Sequence, residues 1–386
     1  MIAAVAITVL GLLLGIGIVQ RTGLRVGGVI VVPLLAVYSL YTIAALPLFV
    51  LSTVIAYIGV GLIRSRTLIH GRQLLLASLG VGVTVPLVST VVFEIWPLFD
   101  SLAEIAFIGT ILPGIAAYNF HKIGTEDRLT DIAVSFGVLG GLMIFGAALV
   151  NPTLATSVSP GLTSILFTPS SDIAQFNGAV RGAVASATFL PREPTVLLLL
   201  AGLVASESAH SRWGVRTGGL IAVPLLVVLA LTNVWTIPVY LGGLVVVYGA
   251  INLIHRQTLL YGRVLLSLGL VVSMLYVSVV AAVLSTVTGF LLYFTAILAG
   301  VGAYNYHMVA PAERLESAVL AAGLFSALIA VTRVLVEPTE VGALATVSSI
   351  HMAVLGGSVI GACYAMYRLE QRRRPVARHH SRGMNI

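Results

Sequence analysis

Charge is what this sequence has least of. Asp, Glu, Lys and Arg make up 9% of its 386 residues, against about 25% in a soluble domain. So few charges cannot furnish a water-facing surface, which excludes a soluble enzyme. Cysteine occurs once, as Cys363, so no intrachain disulfide and no multi-cysteine metal site can form. Lysine also occurs once, as Lys122, and the net charge of +7 is therefore carried almost wholly by arginine. There is no Gly-x-x-x-x-Gly-Lys phosphate loop, no His-Glu-x-x-His pair and no hydrolase or transferase constellation. No metal, no cofactor and no catalytic residue is expected from this sequence. The basic clusters lie beside apolar runs, where they report topology rather than nucleic acid binding.

What remains is apolar. Hydrophobic residues make up 58% of the chain and the mean hydropathy is +1.06, so the chain needs lipid as its solvent. The expected fold is all-α, a polytopic transmembrane helical bundle. Candidate spans are 2–19, 28–44, 46–63, 73–93, 102–120 and 129–150, then 194–210, 217–232, 236–254, 264–286, 288–308 and 315–336, with a last at 347–367. Residues 2–19 have no basic residue before them and Arg21 and Arg25 after them. That is the reverse of a cleaved signal, so a retained first helix is expected. Residues 28–63 are too long for one pass, about 54 Å as a single helix. Two short passes or a re-entrant hairpin fit this stretch and its partner 217–254. Residues 151–193, rich in Ser, Thr, Gly and Pro, read as an exterior connector, either structureless or with one surface helix.

The chain contains itself twice. At an offset of 191, residues 21–37 match 212–228 at 11 of 17 positions, from Arg21-Thr-Gly-Leu-Arg25 through Gly27-Gly28 to Pro33, against Arg212 through Gly218-Gly219 to Pro224. Thr67-Leu-Ile-His-Gly-Arg72 meets Thr258-Leu-Leu-Tyr-Gly-Arg263. At an offset of 186, Gly114-Ile-Ala-Ala-Tyr-Asn-Phe-His121 meets Gly300-Val-Gly-Ala-Tyr-Asn-Tyr-His307, and Arg128 meets Arg314. Apolar low complexity does not explain Arg, Pro, Asn and His recurring at fixed spacing. The organisation is a first repeat at 1–150, the connector at 151–193, a second repeat at 194–336, and a last helix with a basic tail at 337–386. Six segments per unit return the chain to its starting side, so the repeats are parallel. The positive-inside rule puts the arginine clusters and the tail in the cytoplasm, with the N-terminus outside.

The ordered blocks Arg-Thr-Gly, Gly-Gly-Val-Ile-Val-Val-Pro, His-Gly-Arg and Ile-Leu-Pro-Gly-Ile-Ala-Ala-Tyr-Asn resemble the CapC/PgsC family, the polytopic membrane subunit of poly-gamma-glutamate synthesis systems. Residues 1–150 and 194–336 each resemble one whole family unit. Gln20 and Ser211 stand where the family tends to have an acid before Arg-Thr-Gly, and Pro33-Leu and Pro224-Leu replace its Pro-Gly turn. The resemblance implies a membrane partner for a cytoplasmic ATP-dependent ligase of the CapB/PgsB type, which joins glutamates through side-chain carboxylates. It also implies help in moving the anionic polymer outward.

The residues admit two readings at each position. Arg21, Arg25 and Arg72, with Arg212, Arg216 and Arg263, are guanidinium forks for carboxylates on polymer or partner, or topology signals against lipid phosphates. His121 and His307, with Tyr118 and Tyr304 three residues earlier on the same helix face, form a polar mouth or interfacial helix ends; Asn119 points elsewhere. Arg128 and Arg314 belong with these anion or partner contacts. Gly27, Gly28 and Pro33, with Gly218, Gly219 and Pro224, mark a broken helix facing an anion, or close packing and a kink. Glu104 and Glu207 are single acids near span ends. The leading functional expectation is a capsule-polymer membrane subunit; the alternative is a secondary transporter for a small anion.

Overall fold

The structure, a computed structural model, describes residues 1–95, 111–181, 192–284 and 286–382. Among these residues there are helices and no strands. Eight helices are long and apolar enough to cross a membrane. This is a multi-pass membrane protein.

In the first copy the helices are α1 (Ile2–Thr22), α2 (Val31–Tyr41), α3 (Ala45–Arg66), α4 (Arg72–Ile95), α5 (Ile111–Lys122) and α6 (Arg128–Leu149). The connector holds α7 (Pro152–Ser157) and α8 (Asp172–Phe176), with a 3-10 turn at Pro160–Thr163 between them. The second copy is α9 (Arg192–Trp213), α10 (Ala222–Thr232), α11 (Thr236–Thr258), α12 (Gly262–Val283), α13 (Gly289–His307) and α14 (Arg314–Leu335), followed by α15 (Ser349–Arg382). Of the expected span 102–120, residues 102–110, Glu104 among them, lie outside the described residues, and so does connector stretch 182–191.

Each copy splits into two groups of three helices. One group is α1, α2 and α6, repeated as α9, α10 and α14. The other is α3, α4 and α5, repeated as α11, α12 and α13. The copies meet crosswise. The fourth helix of the second copy, α12, packs on α1, and the fourth helix of the first, α4, packs on α9. Two equivalent seams therefore join the repeats.

The stretch 28–63 is two helices, the short α2 and the long α3, rather than one. Every residue of α2 is buried, as expected of a helix apolar all round. Its 11 residues rise only about 16 Å, half of a bilayer core of about 30 Å. The irregular loop 23–30 supplies the rest. At one end, loop amides reach Asp131 in the first turn of α6. At the other, the Ile43 amide donates to Asp172 Oδ2 at 2.8 Å, and Leu40 lies against Gly146 near the end of α6. Asp131 and Gly146 are about 22 Å apart along α6, so loop and helix together cross the bundle. The second copy repeats this. Gly219 lies under Asn305 near the end of α13, while Leu231 and Ala230 accept from Thr339 and Ala343 beyond α14. Irregular backbone is tolerated at this depth because protein surrounds it.

Pro33 and Pro224 are packing knobs rather than kinks. Each sits in the first turn of its helix, where its missing N–H costs nothing. A Cβ on Gly11 would lie 2.6 Å from Pro33 Cγ, and one on Gly202 would lie 2.0 Å from Pro224 Cγ. These glycines let α1 and α9 touch the short helices. Gly27 and Gly28 (φ 60 and 113) turn the chain into α2, and Gly218 and Gly219 (φ 68 and 115) do the same before α10. A left-handed φ of this kind favours glycine.

The connector is folded rather than structureless, with more than the one surface helix expected. Asn151 caps α7, its Oδ1 accepting from the Leu154 amide at 2.8 Å, and Pro152 holds the first helical position. Ile165, Leu166 and Phe167 are fully buried. Ser164 Oγ accepts from the Gly289 amide at 3.0 Å, so the connector closes the bundle on the face opposite the arginine clusters. The last helix runs on through the expected tail as far as Arg382. Gly323 of α14 lets Ala362 of α15 approach.

Candidate functional site

The four arginines nearest the broken passes gather at the two seams. α1 ends and α12 begins on the same face, which brings Arg25 and Arg263 together. Arg263 lies within electrostatic reach of Arg25, Tyr118 and Asp131. α9 ends and α4 begins on that face too, which brings Arg216 and Arg72 together, with Tyr304 beside Arg216. All four guanidinium groups are half-buried. Each seam thus joins one loop arginine from its own copy, one helix-start arginine from the other copy, and a tyrosine.

The seams differ in where their acid sits. In the first, Asp131 is fully buried. Its Oδ1 accepts from the amides of Arg25 at 2.6 Å and Val26 at 2.7 Å, and its Oδ2 from Gly27 at 3.3 Å. This carboxylate ties down the loop backbone and leaves both guanidinium groups without a hydrogen-bond partner among the described residues. Val26 is held at φ 49, a left-handed conformation that is a true outlier for a β-branched residue. In the second seam, Ser317 takes the place of Asp131 and its hydroxyl donates to the Arg216 carbonyl. The acid there is Glu207, whose Oε2 accepts from Arg72 Nε at 2.7 Å. His210, one turn on, lies within electrostatic reach of Arg72, Glu207 and Arg216.

The remaining candidates have partners of their own or stand in the open. Arg21 is exposed at the end of α1. Arg212 pairs with Glu370 of α15 at 2.9 Å. Arg128 donates to the Tyr57 hydroxyl at 2.7 Å and lies over its ring. Arg314 lies over Tyr248 in the same way and donates to the Val309 carbonyl at 3.2 Å. His121 stacks on Tyr57 and meets its carbonyl at 2.9 Å. His307 meets Asn252 Oδ1 at 2.9 Å.

Tyr118 and His121 do not form one polar mouth. Tyr118 sits with the seam arginines, whereas His121 sits against α3. Residues three apart are about 60° apart around a helix axis, enough for α5 to present them to different neighbours. Asn119 does point elsewhere, into the broken pass. A Cβ on Gly28 would lie 2.6 Å from its Nδ2, and the second copy repeats this between Gly219 and Asn305 at 2.9 Å.

Four residues at these contacts carry only weak signals in the sequence. Asp131 follows Glu126 and Asp127 within five residues, so at the start of its apolar span it reads as one of a group of surface acids. Glu207 stands out as a single acid, but its partner Arg72 lies on the other repeat. Tyr57 and Tyr248 match at the 191-residue offset, and that match is the one-dimensional trace of the Arg128 and Arg314 contacts.

Chemically, each seam offers planar forks suited to carboxylate or phosphate oxygens. Among the described residues, no group of three or more His, Cys, Asp or Glu side chains is placed to hold a metal.

The family model for capsule biosynthesis CapC matches the chain twice, over residues 10–129 and 201–315. Comparison with curated proteins gave no match, and comparison with solved structures gave none. Each matched region lies within one of the two repeats and contains both of that repeat's seam arginines.

Proposed function

Because the chain belongs to the capsule biosynthesis CapC family, with two family units in tandem, we propose that it is the membrane subunit of a complex that makes and exports an anionic capsule polymer of γ-linked glutamate. In this reading the arginine face is cytoplasmic and receives an ATP-dependent amide ligase. The ligase does the bond-forming chemistry, and this chain holds it at the membrane beside the path of the product.

The observation that carries the reading is the gathering of Arg25 with Arg263 and Arg216 with Arg72 on one face. A polymer with one carboxylate per unit is met best by guanidinium forks, which make charge-assisted hydrogen bonds to carboxylates. The forks sit where α1 meets α12 and where α9 meets α4, so binding there would be sensed by both repeats. Arginines needed only to set topology would be exposed like Arg21; half-burial at a helix seam asks for an anion.

Affinity purification of the tagged protein from its native membranes tests this. A Mur-type ligase is expected to co-purify, and deletion of the gene is expected to remove surface polymer. Purification without any ATP-dependent ligase, together with unchanged polymer in the deletion strain, would overturn the reading.

A further inference from the structure

The two seams carry the same charged parts in different places, and that difference is informative. Each has two arginines and one acid. At the second seam the acid, Glu207, lies on α9 and engages Arg72 directly at 2.7 Å. At the first seam the residue in the matching position on α1 is Ile16, 191 residues earlier. Arg263, the counterpart of Arg72, therefore meets no carboxylate from the helix it packs on. The first seam's acid is Asp131, and its oxygens are taken by three backbone amides.

The second seam thus shows what a carboxylate does in this setting, because the protein supplies one itself. The first seam has the same helix crossing, α12 on α1, and the same arginine at the helix start. It adds Arg25, with Tyr118 and Asp131 within electrostatic reach of both arginines, and among the described residues neither guanidinium group has a hydrogen-bond partner. Asp131 offsets part of the repulsion between these two half-buried charges but spends its oxygens on backbone amides. A second carboxylate at the guanidinium groups would therefore supply the charge-assisted hydrogen bonds that they lack.

We infer that the first seam is an open binding site for the carboxylate of a ligand, formed by Arg25 and Arg263 from opposite repeats, and that the second seam is the same site closed by Glu207. The inference rests on the functional reading above and deepens it by making the repeats unequal: one receives substrate or polymer, and the other is sealed as structure. It accounts for a tandem protein in which every seam arginine is duplicated while the acids are not. Ile16, half-buried on α1, leaves an apolar edge where a glutamate, as Glu207 does at the second seam, would otherwise reach across.

The test is the thermal unfolding of the purified full chain in detergent, titrated with glutarate as a carboxylate probe and with inorganic phosphate and sulfate alongside. Glutarate is expected to raise the unfolding temperature in a saturable way. Arg263→Gln and Arg25→Gln should each weaken the effect by about tenfold or more, the loss of one charge-assisted partner. Ile16→Glu should abolish it by closing the first seam from within, while Ile16→Gln, of the same size and uncharged, should retain it. Glu207→Gln should leave the response at the first seam in place.

No saturable glutarate response in the wild-type protein would overturn the inference. So would an equal response in Ile16→Glu, or a response to phosphate without one to glutarate. Should Ile16→Glu fail to fold, the two arginine variants decide the matter alone. Polymer loss in cells carrying the arginine variants, with no glutarate binding by the wild type, would remove this inference and leave the capsule reading standing.

Discussion

Asp131→Ala is expected to destabilise the protein by about 3 kcal/mol or more, the largest effect of any single side chain at the seams. Hydrogen bonds to a charged group are worth roughly 1.5–3 kcal/mol each. This carboxylate accepts three, from Arg25, Val26 and Gly27. It is fully buried, so water does not replace it when it is removed. The loop it holds contains Val26 at φ 49, and a strained residue of this kind costs on the order of 1–3 kcal/mol, tolerated only while its surroundings enforce it. Thr217, the counterpart of Val26, is not among the left-handed residues. The strain therefore goes with the carboxylate, not with the repeat. Ser317→Ala is the internal control. It removes one hydroxyl-to-carbonyl bond and should cost about 1 kcal/mol. Thermal unfolding in detergent measures both, and equal losses would contradict the role given to Asp131.

The second large effect is on polymer. The double variant Arg25→Gln with Arg263→Gln is expected to lower surface polymer by about tenfold or more, with the protein still present in the membrane at its usual level. Neither guanidinium has a hydrogen-bond partner among the described residues, and the buried Asp131 keeps its three backbone amides when both are removed, so the chain should still fold. Losing two charge-assisted contacts to an anion costs more than about 1.4 kcal/mol, which is tenfold in occupancy. Arg21→Gln is the matched control, because Arg21 is exposed and outside the seams. Polymer measured by immunoblot of cell-surface extracts, normalised to protein in the membrane, separates the cases. Equal loss in the Arg21 variant would reduce the seam to a general need for positive charge.

The fold class and the duplication were legible because they rest on residues that lipid forces into view. Apolar runs of span length, arginines at their ends and a repeated Gly-Gly to Pro spacing are all one-dimensional signals. The broken pass was half legible. Residues 28–63 were too long for one helix and fitted two short passes or a re-entrant hairpin, but only the contacts of Arg25 with Asp131 and Ile43 with Asp172 show the chain running the length of α6. The seams were not legible at all. Arg72 meets Glu207 across 135 residues and Arg25 meets Asp131 across 106. No periodicity in one repeat predicts which helix of the other it will touch. Tyr118 and His121 misled for a related reason: spacing on an isolated helix says which residues are neighbours, not what each faces once other helices surround it. Asp131 and Ser317 occupy matching positions with different chemistry, so the offset that exposed the repeat was blind to what distinguishes the two copies.

Cysteine accessibility gives the most direct test of parallel duplication with all seam arginines on one side. In a Cys363→Ser background, Leu68→Cys and Leu259→Cys place single thiols in the matched loops just before Arg72 and Arg263, at positions 92% and 75% exposed. Phe176→Cys, at 86% exposure, reports the connector. A membrane-impermeant maleimide should label the two loop positions from one side of the membrane and the connector from the other. Labelling of Leu68→Cys and Leu259→Cys from opposite sides would contradict the parallel repeats and the seams built from them.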